Sequence, residues 1–131
     1  MYFVIIIYNY INDLSTNKVK TYTEGNNYVR LIYNAATVLI IFSYTGVTLT
    51  GGNTGVNLFG SLPDGVSISS NIEVYTLIPI RDANWTPLED TFSLCYLNSV
   101  KKFNGRCAQS HTGVVLYGTY IVPRTFFTIV E

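Results

Sequence analysis

The sequence predicts an all-β chain, an antiparallel, jelly-roll-like β-sandwich of about nine strands. Three observations carry that expectation. Val, Ile, Thr, Tyr, Phe and Trp together make up 60 of the 131 residues, against 29 for Ala, Leu, Glu, Lys, Gln, Arg and Met, so strand formers outnumber helix formers. Turn-forming residues recur along the whole chain, and no window between them shows a helical hydrophobic period of useful length. The runs they separate are short and rich in β-branched and aromatic residues. A chain of this length folds around one core, burying roughly two-thirds of its unfolded surface.

The first expected strand is the apolar run Tyr2 to Tyr8. Val19 to Tyr22 and Tyr28 to Tyr33 follow, separated by Glu24-Gly25-Asn26-Asn27, where Gly and Asn suit a tight hairpin. Asn34-Ala35 leads into Thr37 to Tyr44, with Thr45 to Thr50 as a candidate extension. Gly51-Gly52-Asn53-Thr54-Gly55 reads as a mobile hairpin loop before Val56 to Phe59, and Leu62-Pro63-Asp64-Gly65 as a turn before Ile72 to Ile80. A long loop, Arg81 to Asp90, precedes Thr91 to Leu97. Asn104-Gly105 and His111-Thr112-Gly113 are further turns, and Val114 to Ile121 and Thr125 to Val130 complete the set. Residues 1–17 are expected to form an N-terminal strand and connector, and residues 18–131 the sandwich domain.

Charge excludes several partners. Only 12% of the residues are charged, and eight Lys and Arg balance eight Asp and Glu. A nucleic-acid surface needs a stripe of cations, and here only Lys101 and Lys102 adjoin. Leu31 to Pro63 holds no charged residue, yet its longest aliphatic and aromatic run, Val38 to Phe42, falls far short of the roughly 20 residues that span a bilayer. Membrane insertion is therefore not expected. The Tyr2 to Tyr8 run lacks a basic leader and a small-residue cleavage site, so it is not expected to be a signal peptide. Cys95 and Cys107 flank Asn104-Gly105, which admits a bridge across a hairpin, but two buried free thiols are the simpler expectation. With a single His and no close Cys pair, no metal or other cofactor is expected.

Period-2 patterning adds a partner. Thr37 to Tyr44 puts Val38, Ile40, Phe42 and Tyr44 on one face and Leu39 and Ile41 on the other. Val114, Leu116, Tyr120 and Val122 oppose Val115, Tyr117 and Ile121, and the C-terminal run places Phe126 and Val130 opposite Phe127 and Ile129. One small domain has one interior, so strands apolar on both faces imply a second face covered by sister chains. Cover by loops or by the N-terminal strand is the alternative.

Chemistry is sparse. The sole His, His111, lies in a Ser-His-Thr-Gly turn and reads as a solvated turn residue, and no nucleophile elbow or phosphate loop occurs. Asp82, Glu89 and Asp90 supply the carboxylates a glycan depolymerase would need, but loop acids are common, and no enzyme is expected. The segment Arg81 to Asp90 is better suited to binding. It holds the only Trp, Trp85, among Arg81, Asp82, Asn84 and Asp90, and a sugar offers C–H faces to an aromatic ring and hydroxyls to such polar groups. These five are the candidate ligand-binding residues. A Trp that merely packs its loop onto the sheet is the competing reading.

The segment Phe59-Gly60-Ser61-Leu62-Pro63-Asp64-Gly65, between two apolar strands, resembles the C-terminal domains of bacteriophage tail fibre and baseplate receptor-binding proteins. Tyr22-Thr23-Glu24-Gly25-Asn26 matches their strand leading into a Gly-Asn turn. Ser110-His111-Thr112-Gly113-Val114-Val115-Leu116 and the aromatic last strand Thr125-Phe126-Phe127-Thr128-Ile129-Val130 extend the likeness over Lys18 to Glu131. The family often has Pro three residues after the motif glycine, where this chain has Ile68. The resemblance implies a β-sandwich head at a phage tail tip in the virion, made in the host cytoplasm and usually homotrimeric. It also implies contacts with other tail or baseplate proteins and binding without turnover of a bacterial cell-surface saccharide. No site residue is carried over by the motif. The alternatives are a structural trimerisation module without a ligand and a secreted trimeric jelly-roll ligand of the complement or cytokine type.

Overall fold

The structure is a computed structural model that describes residues 16–58, 62–68, 76–97 and 101–131. The expected strand Tyr2 to Tyr8, most of the connector, Phe59 and Ile72 to Tyr75 lie outside the described residues. The fold is all-β. Its strands are β1 (Lys18–Glu24), β2 (Asn27–Tyr33), β3 (Thr37–Leu49), β4 (Val56–Asn57), β5 (Val66–Ile68), β6 (Thr76–Arg81), β7 (Pro87–Leu97), β8 (Lys102–Arg106), β9 (His111–Pro123) and β10 (Phe127–Ile129). A 3-10 turn at Arg124–Phe126 precedes β10, and the described residues contain no α-helix.

Eight strands form one antiparallel sheet in the order β1-β2-β3-β9-β6-β7-β8-β4, and β10 pairs with β5 apart from it. Two meanders, β1-β2-β3 and β6-β7-β8, are joined through β9. Their turns follow local chemistry. Gly25 at φ 62° opens a two-residue turn between the paired Glu24 and Asn27, and the Asn34 carboxamide oxygen accepts from the N–H groups of Ala36 (2.9 Å) and Thr37 (3.0 Å) to start β3.

Three strands separate β3 from β8 in the sheet, about 19 Å at the usual strand spacing. Yet the rings of Phe42 on β3 and Phe103 on β8 lie 5.1 Å apart between centroids. The sheet therefore curls until its two halves face each other, a sandwich made from one sheet. Val29, Leu31, Val38, Ile40, Phe42, Ile78, Ile80, Phe92, Leu94, Phe103 and Leu116 fill the interior.

Several expectations are corrected. Asn104-Gly105 is not a turn but lies inside β8, where the Phe92 ring and the Ser93 carbonyl occupy the space a Cβ on residue 105 would need. The glycine serves packing rather than turning. Thr45 to Thr50 does extend its strand, as far as Leu49, with Gly46 at φ 69° at an irregularity in the β3–β9 register. Half of the long loop expected from Arg81 to Asp90 is strand, leaving only residues 82–86 between β6 and β7. Gly51 to Gly55 is not a hairpin, because β3 and β4 do not pair; Gly52 and Asn53 instead donate to the carbonyls of Ala108 and Cys107, each at 2.9 Å. Thr125 and Phe126 sit in the 3-10 turn, which removes the alternation expected of the last strand; Phe127 is buried and Val130 exposed.

The Leu-Pro-Asp-Gly segment acts as a seat for the end of the chain. Leu62 and Pro63 are buried, Val66 N–H donates to the Pro63 carbonyl at 3.1 Å, and Gly65 takes φ 78°. Val130 N–H then donates to Gly65 at 2.8 Å, and a Cβ on residue 65 would stand 2.7 Å from the Val130 oxygen. Only glycine meets both demands.

Candidate functional site

Four of the five predicted residues meet on the β6–β7 hairpin. Trp85 N–H donates to the Asp82 carbonyl and Asp82 N–H to the Thr86 carbonyl, each at 2.9 Å, closing a three-residue loop. The Asp82 carboxylate accepts from the N–H groups of Asn84 (2.8 Å) and Thr86 (3.0 Å), and Arg81 Nη1 donates to the Trp85 carbonyl (3.1 Å). Arg81 and Asp82 thus hold the loop in shape. The product is an unusual backbone for Trp85, at φ 65°, the left-handed position that hairpins of this length normally give to glycine. For a bulky side chain that conformation costs about 1–2 kcal/mol.

Strain of this kind persists when the surrounding structure fixes it, and it concentrates at functional positions. Here it sets the Trp85 ring edge-on to Tyr117 of β9, 5.6 Å between centroids at 61°, with Trp85 still 45% exposed. Asn84 is exposed beside it. The hairpin therefore presents an aromatic surface and an amide at its tip, while part of Trp85 packs onto the sheet, as the packing reading requires. Sequence reasoning missed Tyr117 as its support; the signal was its outward parity with Val115 and Ile121.

Asp90 is not part of this group. Its side chain is buried, bonded through Oδ2 to His111 Nε2 at 2.8 Å and to Gln109 N–H at 3.0 Å, and through Oδ1 to the N–H groups of Thr91 (2.9 Å) and Ala108 (3.3 Å). Burial by itself would raise this carboxyl, but the hydrogen bonds from His111, Gln109, Ala108 and Thr91 outweigh it and hold the group below the usual carboxylate range. The expectation that His111 is a solvated turn residue is thereby corrected: it begins β9, and its ring is drawn inward by a carboxylate that a sequence reading could not place beside it.

Cys107 lies between, donating to the Gln109 carbonyl at 3.1 Å. Burial, and secondarily the charge of Asp90, push its thiol up, which suits a packing residue and not a nucleophile. Cys95 is also a buried thiol outside any disulfide; its strand partner is Asn104, not Cys107. Of the carboxylates considered for hydrolysis, Asp82 and Asp90 are engaged by backbone N–H groups and Glu89 is exposed.

Beside Asp90, an open cleft of about 420 Å³ lies on the outer face of β6, β7 and β8, lined by Leu77, Thr91, Ser93, Arg106 and, from the β3–β4 loop, Asn53. Compared with models of protein families, with curated proteins and with solved structures, the chain has no significant match.

Proposed function

We propose that this chain is the non-catalytic receptor-binding head of a bacteriophage tail fibre or baseplate, which recognises a bacterial surface glycan during host adsorption. The observation that carries the reading is Trp85, held half-exposed at an energetic cost on a short hairpin and backed by Tyr117. An aromatic ring fixed in place stacks on a pyranose with little loss of freedom, and neighbouring amides and guanidinium N–H groups take its hydroxyls. The resemblance around Leu62-Pro63-Asp64-Gly65 supplies the phage context.

The test is a glycan array of bacterial cell-wall and capsule fragments. The chain is expected to bind a defined subset, with Trp85→Ala weaker by about tenfold or more, equivalent to about 1.4 kcal/mol. A folded chain that binds no fragment would leave the structural-module reading in its place. A separate measurement reads the strain itself. Trp85→Gly is expected to unfold at higher denaturant than Trp85→Ala, by about 1 kcal/mol, because glycine accepts the left-handed backbone and alanine does not.

The outer face of the other meander supports self-association. Val19, Ile32, Leu39 and Ile121 stand side by side across β1, β2, β3 and β9, a cross-strand row of four aliphatic side chains. Val19 is 58% exposed and Ile121 67%. Tyr117 finds cover under Trp85, whereas among the described residues the two ends of this row stay exposed and Ile32 and Leu39 are half-buried. We read it as the surface that packs against sister chains in a homotrimer, where three linked sites turn weak single-site affinity into firm adsorption. Light scattering at micromolar concentration is expected to report a trimer, and Ile121→Lys a monomer with unchanged circular dichroism. A wild-type monomer would remove this part of the reading.

A further inference from the structure

We propose that the cleft beside Arg106 is a second binding site, separate from the Trp85 hairpin, that takes the carboxylate of an acidic sugar. It rests on the glycan-recognition reading for the ligand's ring, and on the cleft alone for the ligand's charge.

The site is built by register. Leu77 pairs with Ser93 and Ser93 with Arg106, so an aliphatic wall, a hydroxyl and a guanidinium form one row across β6, β7 and β8. Thr91 adds a second hydroxyl two residues along β7. The Arg106 guanidinium, unlike the backbone that pairs with Ser93, has no hydrogen bond or ion pair with any described residue. Among the described residues the only acid lining the cleft is Asp90, and both its oxygens are already held by His111 and by the N–H groups of Thr91, Ala108 and Gln109. A planar guanidinium next to hydroxyls, with no carboxylate among the described residues bonded to it, matches a planar carboxylate that accepts two parallel N–H bonds. Leu77, 71% exposed, offers an apolar wall to the C–H face of the ring that carries it.

The rim is fixed as well. Asn53 sits at φ 56° with its N–H bonded to Cys107, and Gly51 N–H donates to Ser110 Oγ at 3.0 Å, so the loop is tied down on the segment that Asp90 anchors. A second hollow of about 210 Å³, between Lys18, Tyr33, Arg124 and Glu131, shows the contrast. There the charges are already matched, Lys18 Nζ to Glu131 Oε2 at 2.7 Å, while Arg124 donates to the Phe127 carbonyl.

The experiment is an amide NMR titration of the intact chain and its variants with glucuronate, glucose and glucose 1-phosphate. Glucuronate is expected to shift the signals of Thr91, Ser93 and Arg106 saturably, and glucose to bind about tenfold more weakly or less, as the loss of a charge-assisted pair implies. Arg106→Gln should abolish the difference between the two sugars and Arg106→Lys should keep only part of it, both variants retaining the wild-type spectrum elsewhere. Equal responses to glucuronate and glucose, or an unchanged response in Arg106→Gln, would overturn the proposal. Tighter binding of glucose 1-phosphate would overturn the commitment to a carboxylate. Trp85→Ala is expected to titrate like the wild type. Array binding that Trp85→Ala leaves unchanged, with this titration intact, would sink glycan recognition at the hairpin alone, and array binding lost in Trp85→Ala with no response in this titration would sink this site alone.

Discussion

Phe103→Ala is expected to destabilise the chain by about 3–5 kcal/mol, a large share of the roughly 5–15 kcal/mol that holds a typical domain together. Phe103 is fully buried and is the point at which the curled sheet closes, its ring 5.1 Å from Phe42 and 5.2 Å from Tyr96. Truncation removes the transfer energy of the ring and leaves a cavity that strands fixed by their hydrogen-bond ladders cannot collapse to fill. The thermal midpoint should fall by roughly 10–25 °C for a chain of this size. Leu77→Ala, an aliphatic truncation on the outer face of the same sheet, should change stability by less than about 0.5 kcal/mol. Urea unfolding followed by circular dichroism measures both. Equal effects for the two would mean that Phe42 and Phe103 do not join the halves of one core.

What sequence reasoning reached and missed divides by range. Strands such as β2 and the start of β3 are legible because alternation is a local property: Val38 and Ile40, which the period of two sets on one face, are both buried, as are Val29 and Leu31 on the neighbouring strand. Misreadings arose where a residue's reason lies on another strand. Gly105 imitates a turn glycine, yet the Phe92 ring explains it, and that contact depends on the β7–β8 register. The segment from Arg81 to Asp90 looks irregular because Asp, Asn and Pro are turn formers, but hydrogen bonds tighten it into a five-residue link. Within the candidate site, Trp85 and its neighbours Arg81, Asp82 and Asn84 lie together in the fold because they adjoin in sequence. Asp90 was grouped with them for the same reason and wrongly so, since its partners His111 and Gln109 come from the far end of the β8–β9 connection. Arg106 was invisible to that reasoning because a lone cation within a strand has no local signature.

These cross-strand ties also couple the two candidate sites to the fold in different ways. The Trp85 loop is self-contained: its hydrogen bonds run between Arg81 and Thr86, so substitutions there should change binding with little effect elsewhere. The Arg106 cleft depends on a relay. Asp90 holds Ala108 and Gln109, and the carbonyls of Ala108 and Cys107 hold Gly52 and Asn53.

Asp90→Ala is accordingly expected to cost about 2–4 kcal/mol at pH 7, because it leaves His111 and three backbone N–H groups without their acceptor in a mostly buried position. The sign of the pH dependence follows from the depressed folded-state carboxyl. Unfolded, Asp90 titrates near its ordinary value of about 3.9; folded, it titrates lower. The stability it contributes is therefore complete above the unfolded value and is lost as pH falls through the folded one. The gap between wild type and Asp90→Asn, which cannot ionise, should be largest at pH 6–7 and shrink steadily below about pH 4. Taking the difference between the two proteins removes the other carboxylates, including Glu131, which is lowered chiefly by its hydrogen bond to Lys18. Hydrogen exchange at the Gly52 and Asn53 amides should quicken in Asp90→Asn at neutral pH, while exchange at Trp85 and Thr86 stays as in the wild type. A gap that is the same at pH 3 and pH 7 would show that Asp90 contributes by shape alone, and unaltered exchange at Asn53 would break the relay between this carboxylate and the rim of the cleft.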